Sequence, residues 1–138
     1  MLLKQIGIEF EVINIDIDES VNKNEMPSDY IHRISVEKAR AGKELSKNNL
    51  PVLAADTAIV LDNVVLGKAE CKEDAIHMLN ELSGRTHDVL SAVTVIGKKE
   101  ITKANISKVT FKVLSKDDIS HYCGTGEPIG KAGGYAIQ

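Results

Sequence analysis

The sequence predicts one domain of the α/β or α+β class with a mixed sheet. Three observations lead to this prediction. Segments with the periodicity of strands and segments with the periodicity of helices follow one another without strict alternation. The length of 138 residues suits one ordinary domain. Hydrophobic residues make up 43% of the chain and aromatic residues only 4%, so the core must consist of Ile, Leu, Val and Ala.

The N-terminal part of the chain predicts a helix, a strand and a second helix. Residues 1–6 have the apolar spacing of the last turns of an amphipathic helix, and Gly7 is a natural residue to end it. Isoleucines alternate with polar residues in the second half of Ile8–Ile17, which predicts a half-buried strand. Pro27 is typical of a first helical turn, and the helix is expected to continue over Ser28–Leu45.

The centre of the chain predicts a β-hairpin followed by a helix. Leu50–Leu61 is apolar and β-branched, as expected of a strand, and Val64–Leu66 continues the pattern. The residues Asp62-Asn63 between them tolerate positive φ and predict a two-residue turn. Lys72–Leu82 has the spacing of an amphipathic helix that ends at Ser83-Gly84.

The last third predicts two long strands, a short helix and a loop. The strands are Arg85–Ile96 and Glu100–Leu114, joined through Gly97-Lys98-Lys99. Ser115 and Asp118 form the pattern of a capping box, which predicts a helix to about Tyr122. The segment Gly124–Gly134 is predicted to be a loop.

Composition excludes several classes of function. The net charge is −3, so the chain lacks the basic excess of a nucleic-acid backbone binder, although a local lysine cluster can still hold one phosphate group. The longest stretch without a charged residue, Val89–Gly97, is far shorter than the ~20 residues of a membrane helix. Cys71 and Cys123 form no CxxC motif, and no export signal is visible. We therefore expect a cytoplasmic protein with reduced thiols and without nucleic-acid or membrane partners.

Asp56 is the strongest local signal for chemistry. Its carboxylate stands between two apolar runs, Pro51–Ala55 and Ala58–Leu61, and an unpaired buried charge costs several kcal/mol. Asp56 therefore needs a partner, a metal or a cleft. Its same-face neighbours in a strand are alanines, which leave room for a ligand. The alternative is a carboxylate satisfied by backbone amides where the strand bends.

The predicted hairpin brings Lys68 close to this strand. If Leu61 pairs with Val64, the register places Lys68 opposite Thr57, about 5 Å away at Cβ. Strict pleating points Lys68 away from Asp56, so contact between them requires a bend, for which Gly67 is a plausible place. A lysine at a strand end can equally be simply solvated.

Other charged residues leave two interpretations open. Glu37-Lys38 lies at the edge of the apolar stripe of its helix, where a pair either reaches into a cleft or stays at the surface. Glu19 follows an acidic run, which can hold Mg²⁺ or Mn²⁺ together with substrate phosphates or be an ordinary acidic turn. Arg85 can pair with a carboxylate or a phosphate. The four histidines show no zinc-binding spacing, and no P-loop or GxGxxG motif is present.

Five motifs along the chain resemble those of a known family. They are Glu37-Lys38-Ala39, Ala55-Asp56-Thr57, Leu66-Gly67-Lys68, Leu82-Ser83-Gly84-Arg85-Thr86-His87 and Lys131-Ala132-Gly133-Gly134-Tyr135-Ala136-Ile137-Gln138. In this order and at these spacings they are similar to the Maf family of nucleoside triphosphate pyrophosphatases, over essentially the whole chain. The C-terminal motif is similar to that of the branch acting on dTTP and UTP.

The resemblance implies an α/β fold with a mixed, elongated sheet flanked by helices and a cleft between two lobes. It implies hydrolysis of dTTP, UTP or modified pyrimidine triphosphates to the monophosphate and pyrophosphate, with a divalent metal such as Mg²⁺ or Mn²⁺. By resemblance, Asp56 is the proton acceptor, and Thr57 and Gln138 determine specificity. Glu19, Lys38 and Lys68 match the charged residues of the cleft, with Glu19 as the candidate metal ligand. A homodimer is a further option.

The chain also departs from the family pattern. The family's opening strand and its Ser-x-Ser-Pro-Arg-Arg turn are not found, nor is the portion after Ile-Gln, so we expect a single domain truncated at both ends; the alternative is a native start and a flexible tail. The family's Gly-Lys-Pro is Gly67-Lys68-Ala69 here, and its Asp-Lys-Ala-Gly is Gly130-Lys131-Ala132-Gly133. Two hypotheses follow: an active pyrophosphatase, or a remnant that binds nucleotide without turnover.

Overall fold

Four helices and four strands make up the fold in the computed structural model, which describes residues 2–136. In chain order the elements are α1 (Leu2–Gln5), α2 (Pro27–Leu45), β1 (Val52–Leu61), β2 (Val64–Leu66), α3 (Lys72–Leu82), β3 (Thr86–Ile96), β4 (Glu100–Thr110) and α4 (Lys116–Gly124). The α/β class is confirmed. No helix within residues 2–136 has the length and apolar character needed to cross a membrane.

The sheet has the strand order β2-β1-β3-β4. The ladders that join these strands are antiparallel, and a parallel pairing occurs at the isolated bridge between Ala69 and Ile129. In β1, Ala58 pairs with Leu90 and Asp56 pairs with Ala92 of β3. Successive side chains of a strand point to opposite faces, so Asp56 and Ala58 share one face and Thr57 lies on the other.

Helix α2 covers one face of the sheet. Its residues Tyr30, Ile31 and Ile34 pack with Ala58 and Val60 of β1. On the opposite face, Ile59 and Leu61 pack against Leu82 of α3, with the half-buried Phe111 and Tyr135 beside them. The core is aliphatic, as the composition predicts, and it lies on the two faces of the second half of β1, whereas most of β4 is exposed.

Local signals located the element boundaries well. The turn residues Asp62 and Asn63 have φ of 51° and 64°, as a two-residue hairpin turn requires. Ser115 caps α4 through a hydrogen bond from the Asp118 amide, which confirms the capping box. Gly7 ends α1 with φ of 74°. Three boundary predictions hold because each depends on backbone chemistry within a few residues.

The predicted strand at Ile8–Ile17 is wrong. Residues 8–22 have no regular secondary structure and form no ladder with another described segment. A strand requires a hydrogen-bonding neighbour, and alternation alone does not supply one. The alternation does place side chains, since Ile15, Ile17 and Glu19 are half-buried while their neighbours are exposed. Leu45, the last residue of α2, is also exposed.

Candidate functional site

Four charged side chains from four separate segments meet beside α2 and form the candidate site. Lys38 comes from the middle of α2, Asp56 from β1, Glu19 from the extended segment before α2, and Lys68 from the chain after β2. We call these four residues the polar cluster. Each was a candidate from the sequence, and the structure brings them together.

Lys38 is the centre of the polar cluster. Its Nζ donates to Asp56 Oδ1 at 2.7 Å and lies 2.9 Å from Glu19 Oε1. The other oxygen of Glu19 accepts from Lys68 Nζ at 2.5 Å. The four groups therefore form one chain of alternating charges, Asp56–Lys38–Glu19–Lys68, with no formal net charge.

The polar cluster runs from the interior to the surface. The exposed fraction of the side chain rises from 11% at Asp56 through 14% at Lys38 and 31% at Glu19 to 49% at Lys68. An anionic ligand that approaches from solvent therefore meets Lys68 first. Asp56 is the innermost group, held by a lysine, so the alternative of a carboxylate satisfied by backbone amides is not what the structure shows.

The pKa values within the polar cluster reflect the mutual contacts. Burial alone raises the pKa of the Glu19 carboxyl, but hydrogen bonds from Lys68 and Lys38 outweigh it, so this pKa lies below its usual range. Burial alone lowers the pKa of Lys38, but its hydrogen bonds to Asp56 and Glu19 outweigh burial and raise it. Glu19 and Lys38 therefore both carry their charges at neutral pH.

The contact of Asp56 with a lysine involves a different lysine from the one that the hairpin suggested. The ladder between β1 and β2 ends at the pair Ile59 and Leu66, so Lys68 does not continue it opposite Thr57. The chain turns after Gly67, and Lys68 instead bridges to Ala132. From there its side chain reaches Glu19 rather than Asp56.

The sequence left open whether Glu37-Lys38 reaches into a cleft or stays at the surface. In the structure, one residue of the pair does each. Glu37 stays at the surface, where its carboxylate lies 3.2 Å from Arg33 one helical turn earlier. Lys38 points inward to the polar cluster. Adjacent helical positions differ by about 100° around the axis, which separates the two side chains.

Two further candidates lie outside the polar cluster. The Thr57 hydroxyl is on the opposite face of β1 and lies 3.2 Å from the Ser91 hydroxyl. Arg85 pairs with Asp62 of the hairpin turn at 2.5 Å, and its described polar contacts do not reach the polar cluster. Gln138 lies outside the described residues.

Two residues that the sequence did not single out hold Glu19 in place. The Tyr30 hydroxyl donates to the backbone carbonyl of Glu19 at 3.0 Å. Arg33 donates to both carboxylate oxygens of Glu25, at 2.6 and 2.8 Å, and to the Ser20 carbonyl at 2.9 Å. The spacing of Arg33 and Glu37 was visible in the sequence, whereas the contacts to residues 19–25 depend on how the segment folds back on α2.

The charges of the polar cluster also affect the pKa of the Tyr30 hydroxyl. Burial raises the pKa of its hydroxyl, and the charges of Asp56 and Glu19 raise it further. The hydroxyl therefore stays protonated and keeps donating to the Glu19 backbone at neutral pH. This donor fixes the direction in which the Glu19 side chain leaves the segment.

The two carboxylates of the polar cluster suit a divalent cation only if phosphate oxygens or water complete its coordination shell. Glu19 and Asp56 approach the same Lys38 ammonium, so two carboxylates converge on one point. No group of three or more His, Cys, Asp or Glu side chains within residues 2–136 is arranged to hold a metal ion. Two carboxylates fit the mode in which Mg²⁺ takes one or two protein ligands and completes its shell with phosphate oxygens and water.

Comparison with known proteins gives a consistent match. The family model described as "Maf-like protein" matches residues 1–138. The chain is 43% identical to the dTTP/UTP pyrophosphatase of Alkalilimnicola ehrlichii, over 99% of this chain and 70% of that protein. It is 46% identical to the dTTP/UTP pyrophosphatase of Pseudoalteromonas translucida, over 99% of this chain and 73% of that protein. The protein of that name from Escherichia coli O157:H7 is 42% identical, over 99% of this chain and 70% of its own length.

Proposed function

Because the chain belongs to the Maf-like protein family, we propose that it is a nucleoside triphosphate pyrophosphatase that hydrolyses dTTP and UTP. The products are the nucleoside monophosphate and pyrophosphate. The observation that carries the proposal is the polar cluster, in which the recessed carboxylate of Asp56 contacts the Lys38 ammonium and is linked through Glu19 to the ammonium of Lys68.

The reaction needs a base and cations, and the polar cluster contains both. Water attacks the α-phosphorus; a new P–O bond forms, the bond from the α-phosphorus to the α,β-bridging oxygen breaks, and pyrophosphate leaves. Asp56 accepts the proton of the attacking water. Lys68 and Lys38 donate to phosphate oxygens on which charge develops. The order of exposure supports an arrangement with the triphosphate at the Lys68 end and the water at the Asp56 end.

A divalent cation is part of the proposal. Glu19, with Asp56 beside it, would hold Mg²⁺ or Mn²⁺ together with the phosphates of the substrate. Bound there, the cation supplies positive charge that neutralises the triphosphate. Lys38 now occupies the position between the two carboxylates, so substrate and cation binding require it to give up one of these contacts.

Recognition of the base is proposed for Thr57 and Gln138 on the resemblance to the family. Thr57 and Gln138 match the specificity positions of the family, and Gln138 offers one acceptor and two donors to the edge of a pyrimidine. Arg85 is kept as a candidate for substrate binding once it leaves Asp62. A cytoplasmic location and a second copy of the chain as partner belong to the same proposal.

Pyrophosphate release tests the function directly. With Mg²⁺ present, we expect turnover of dTTP and UTP and much less of dATP and dGTP. Asp56→Asn should reduce the rate by about 10²–10⁴-fold, since it removes the base, while the circular dichroism spectrum stays unchanged.

The matched control is Asp88→Asn, because Asp88 also lies in the sheet and pairs with a lysine, Lys108, but is outside the polar cluster. It should leave the rate unchanged. A folded protein without turnover of any of the four triphosphates would leave only nucleotide binding as its function. An unchanged rate in Asp56→Asn would remove Asp56 from the mechanism.

A further inference from the structure

The segment that carries Lys68 has little support from the sheet. Strand β2 ends at Leu66, and a Cβ added to Gly67 would meet nothing within 4 Å. The Lys68 side chain is 49% exposed. A lysine on such a segment would sample many positions unless the backbone is fixed from elsewhere.

The support comes from the loop of residues 130–135, which we call the glycine loop. The Gly133 amide donates to the Gly67 carbonyl at 3.0 Å, and the Gly130 amide donates to the Ala69 carbonyl at 2.8 Å. The Ala69 amide donates in return to the Lys131 carbonyl at 3.2 Å. These bonds flank Lys68 on both sides, so the position of its backbone is set by the glycine loop.

The glycine loop is in turn held at its end by one side-chain hydrogen bond. The Tyr135 hydroxyl lies 2.6 Å from Nε2 of His87 on β3. His87 is only 2% exposed, and its Nδ1 is buried without a hydrogen-bond partner. The bond to Tyr135 therefore satisfies Nε2, the other ring nitrogen of this imidazole, and a buried polar group that loses its partner costs about 1–3 kcal/mol.

Ring packing also holds the end of the loop, but it does not by itself explain the hydroxyl. The rings of His87, Phe111 and Tyr135 pack edge to face, with centroids 4.8–5.5 Å apart. A phenylalanine at position 135 would preserve these ring contacts. The hydroxyl adds a directional contact to β3, the strand that pairs with β1 and its Asp56.

We propose that Tyr135 is a positioning residue for Lys68, through a continuous path from His87 and the Tyr135 hydroxyl along the glycine loop to residues 67–69. The inference rests on the proposed function, because Lys68 has a role only if the polar cluster binds a triphosphate. Tyr135 does not touch the polar cluster; it acts by fixing the backbone from which Lys68 reaches Glu19.

Amide hydrogen exchange tests the positioning without any need for turnover. In Tyr135→Phe, the amides of Ala69, Gly130 and Gly133 should exchange about tenfold faster or more, because the end of the glycine loop opens more often. Amides in the ladder between β1 and β3 should keep their rates. Unchanged exchange at all three of these amides would overturn the proposal.

A double-mutant cycle separates positioning from general stability. Tyr135→Phe should lower kcat/KM for dTTP about tenfold in the native background and less than about twofold in the Lys68→Met background, where the positioned group is gone. Equal losses in both backgrounds would mean that Tyr135 is merely structural and would overturn the proposal. If the unsubstituted protein shows no turnover, the proposed function fails, and the exchange rates alone decide whether Tyr135 positions residues 67–69.

The matched control is Tyr122→Phe. The Tyr122 hydroxyl also contacts this part of the chain, but it accepts only a long bond, 3.4 Å, from the Ala136 amide beyond the glycine loop. The same chemical change should therefore leave exchange at Ala69, Gly130 and Gly133 as in the native protein. Acceleration equal to that of Tyr135→Phe would show that the His87 contact has no special part, which would also overturn the proposal.

Discussion

Lys38 connects the parts of the polar cluster, because its ammonium group contacts both Asp56 and Glu19. Its own side chain is 14% exposed and that of Asp56 11%. A nearly buried pair is costly to desolvate, and its presence is weak evidence for a stabilising role. The pair places a carboxylate and an ammonium group together at a recessed position, which the proposed chemistry requires.

Removing Lys38 should destabilise the fold, because the Asp56 carboxylate is costly to bury without a cation. We expect Lys38→Met to lower the free energy of unfolding by about 3–5 kcal/mol, because the Asp56 carboxylate then loses its partner cation in a recessed position. Adding Asp56→Asn to Lys38→Met should restore part of the loss, since no unpaired carboxylate is left there. Urea unfolding of the four proteins measures this as a double-mutant cycle, and strictly additive losses would contradict a direct pair.

Helix α2 is the element that organises the site. It supplies Lys38 to the polar cluster and also Tyr30 and Arg33, which bind the segment that carries Glu19. The orientation of α2 about its own axis determines both its packing and its place in the site. Ile31 and Ile34 pack on the sheet, and the charged residues lie at the border of this apolar stripe. The segment before α2 has no ladder of its own, so its position depends on these side-chain contacts.

The ion pair between Arg33 and Glu25 predicts a pH dependence for this element. A hydrogen bond from Arg33 lowers the pKa of Glu25 from its usual 4.5 to about 2. A lowered pKa in the folded state means that the pair contributes its full stability above about pH 4.5 and loses it as the pH falls toward 2. Glu25→Gln should therefore lower the melting temperature at pH 7, and the difference from the native protein should shrink steadily below pH 4.5.

The control for this series is Glu11→Gln, which changes an exposed glutamate in the same irregular segment. It should leave the melting temperature close to native at every pH. A difference for Glu25→Gln that stays constant from pH 7 to pH 3 would contradict the assigned pair.

At the scale of the whole molecule, the glycine loop packs against β1, far from it in the sequence. Gly133 has φ of +65°, and a Cβ there would lie 2.8 Å from Cγ1 of Ile59. Gly130 has φ of +75°, yet a Cβ there would meet nothing within 4 Å. The two positions share the requirement for positive φ and differ only in the close approach to the sheet.

This difference predicts unequal losses of stability. Gly130→Ala should cost about 1–2 kcal/mol for the left-handed backbone alone. Gly133→Ala should cost a further 1–3 kcal/mol or so, because Ile59 or the loop must move to make room. Urea unfolding compares the two, and equal losses would show that the loop is not seated against Ile59 as described.

Most residues of the candidate site could be predicted from the sequence. Asp56 stood out because a carboxylate between two apolar runs needs a partner, and Lys38 because it borders an apolar stripe. The contacts between these residues were harder to predict. The bend after Gly67 was anticipated, but its direction, toward Ala132 and Glu19, depends on a loop more than sixty residues away in the chain.

The sequence by itself determined the order of helices and strands, most of their ends and the family, because caps, turns and periodicity act within a few residues and the motifs are local. Only the tertiary structure decided that residues 8–22 form no strand and that Lys38 rather than Lys68 contacts Asp56. These outcomes depend on the rotation of α2 against the sheet and on pairing between distant segments. Both are set by packing free energy summed over the whole molecule, which no short stretch of sequence contains.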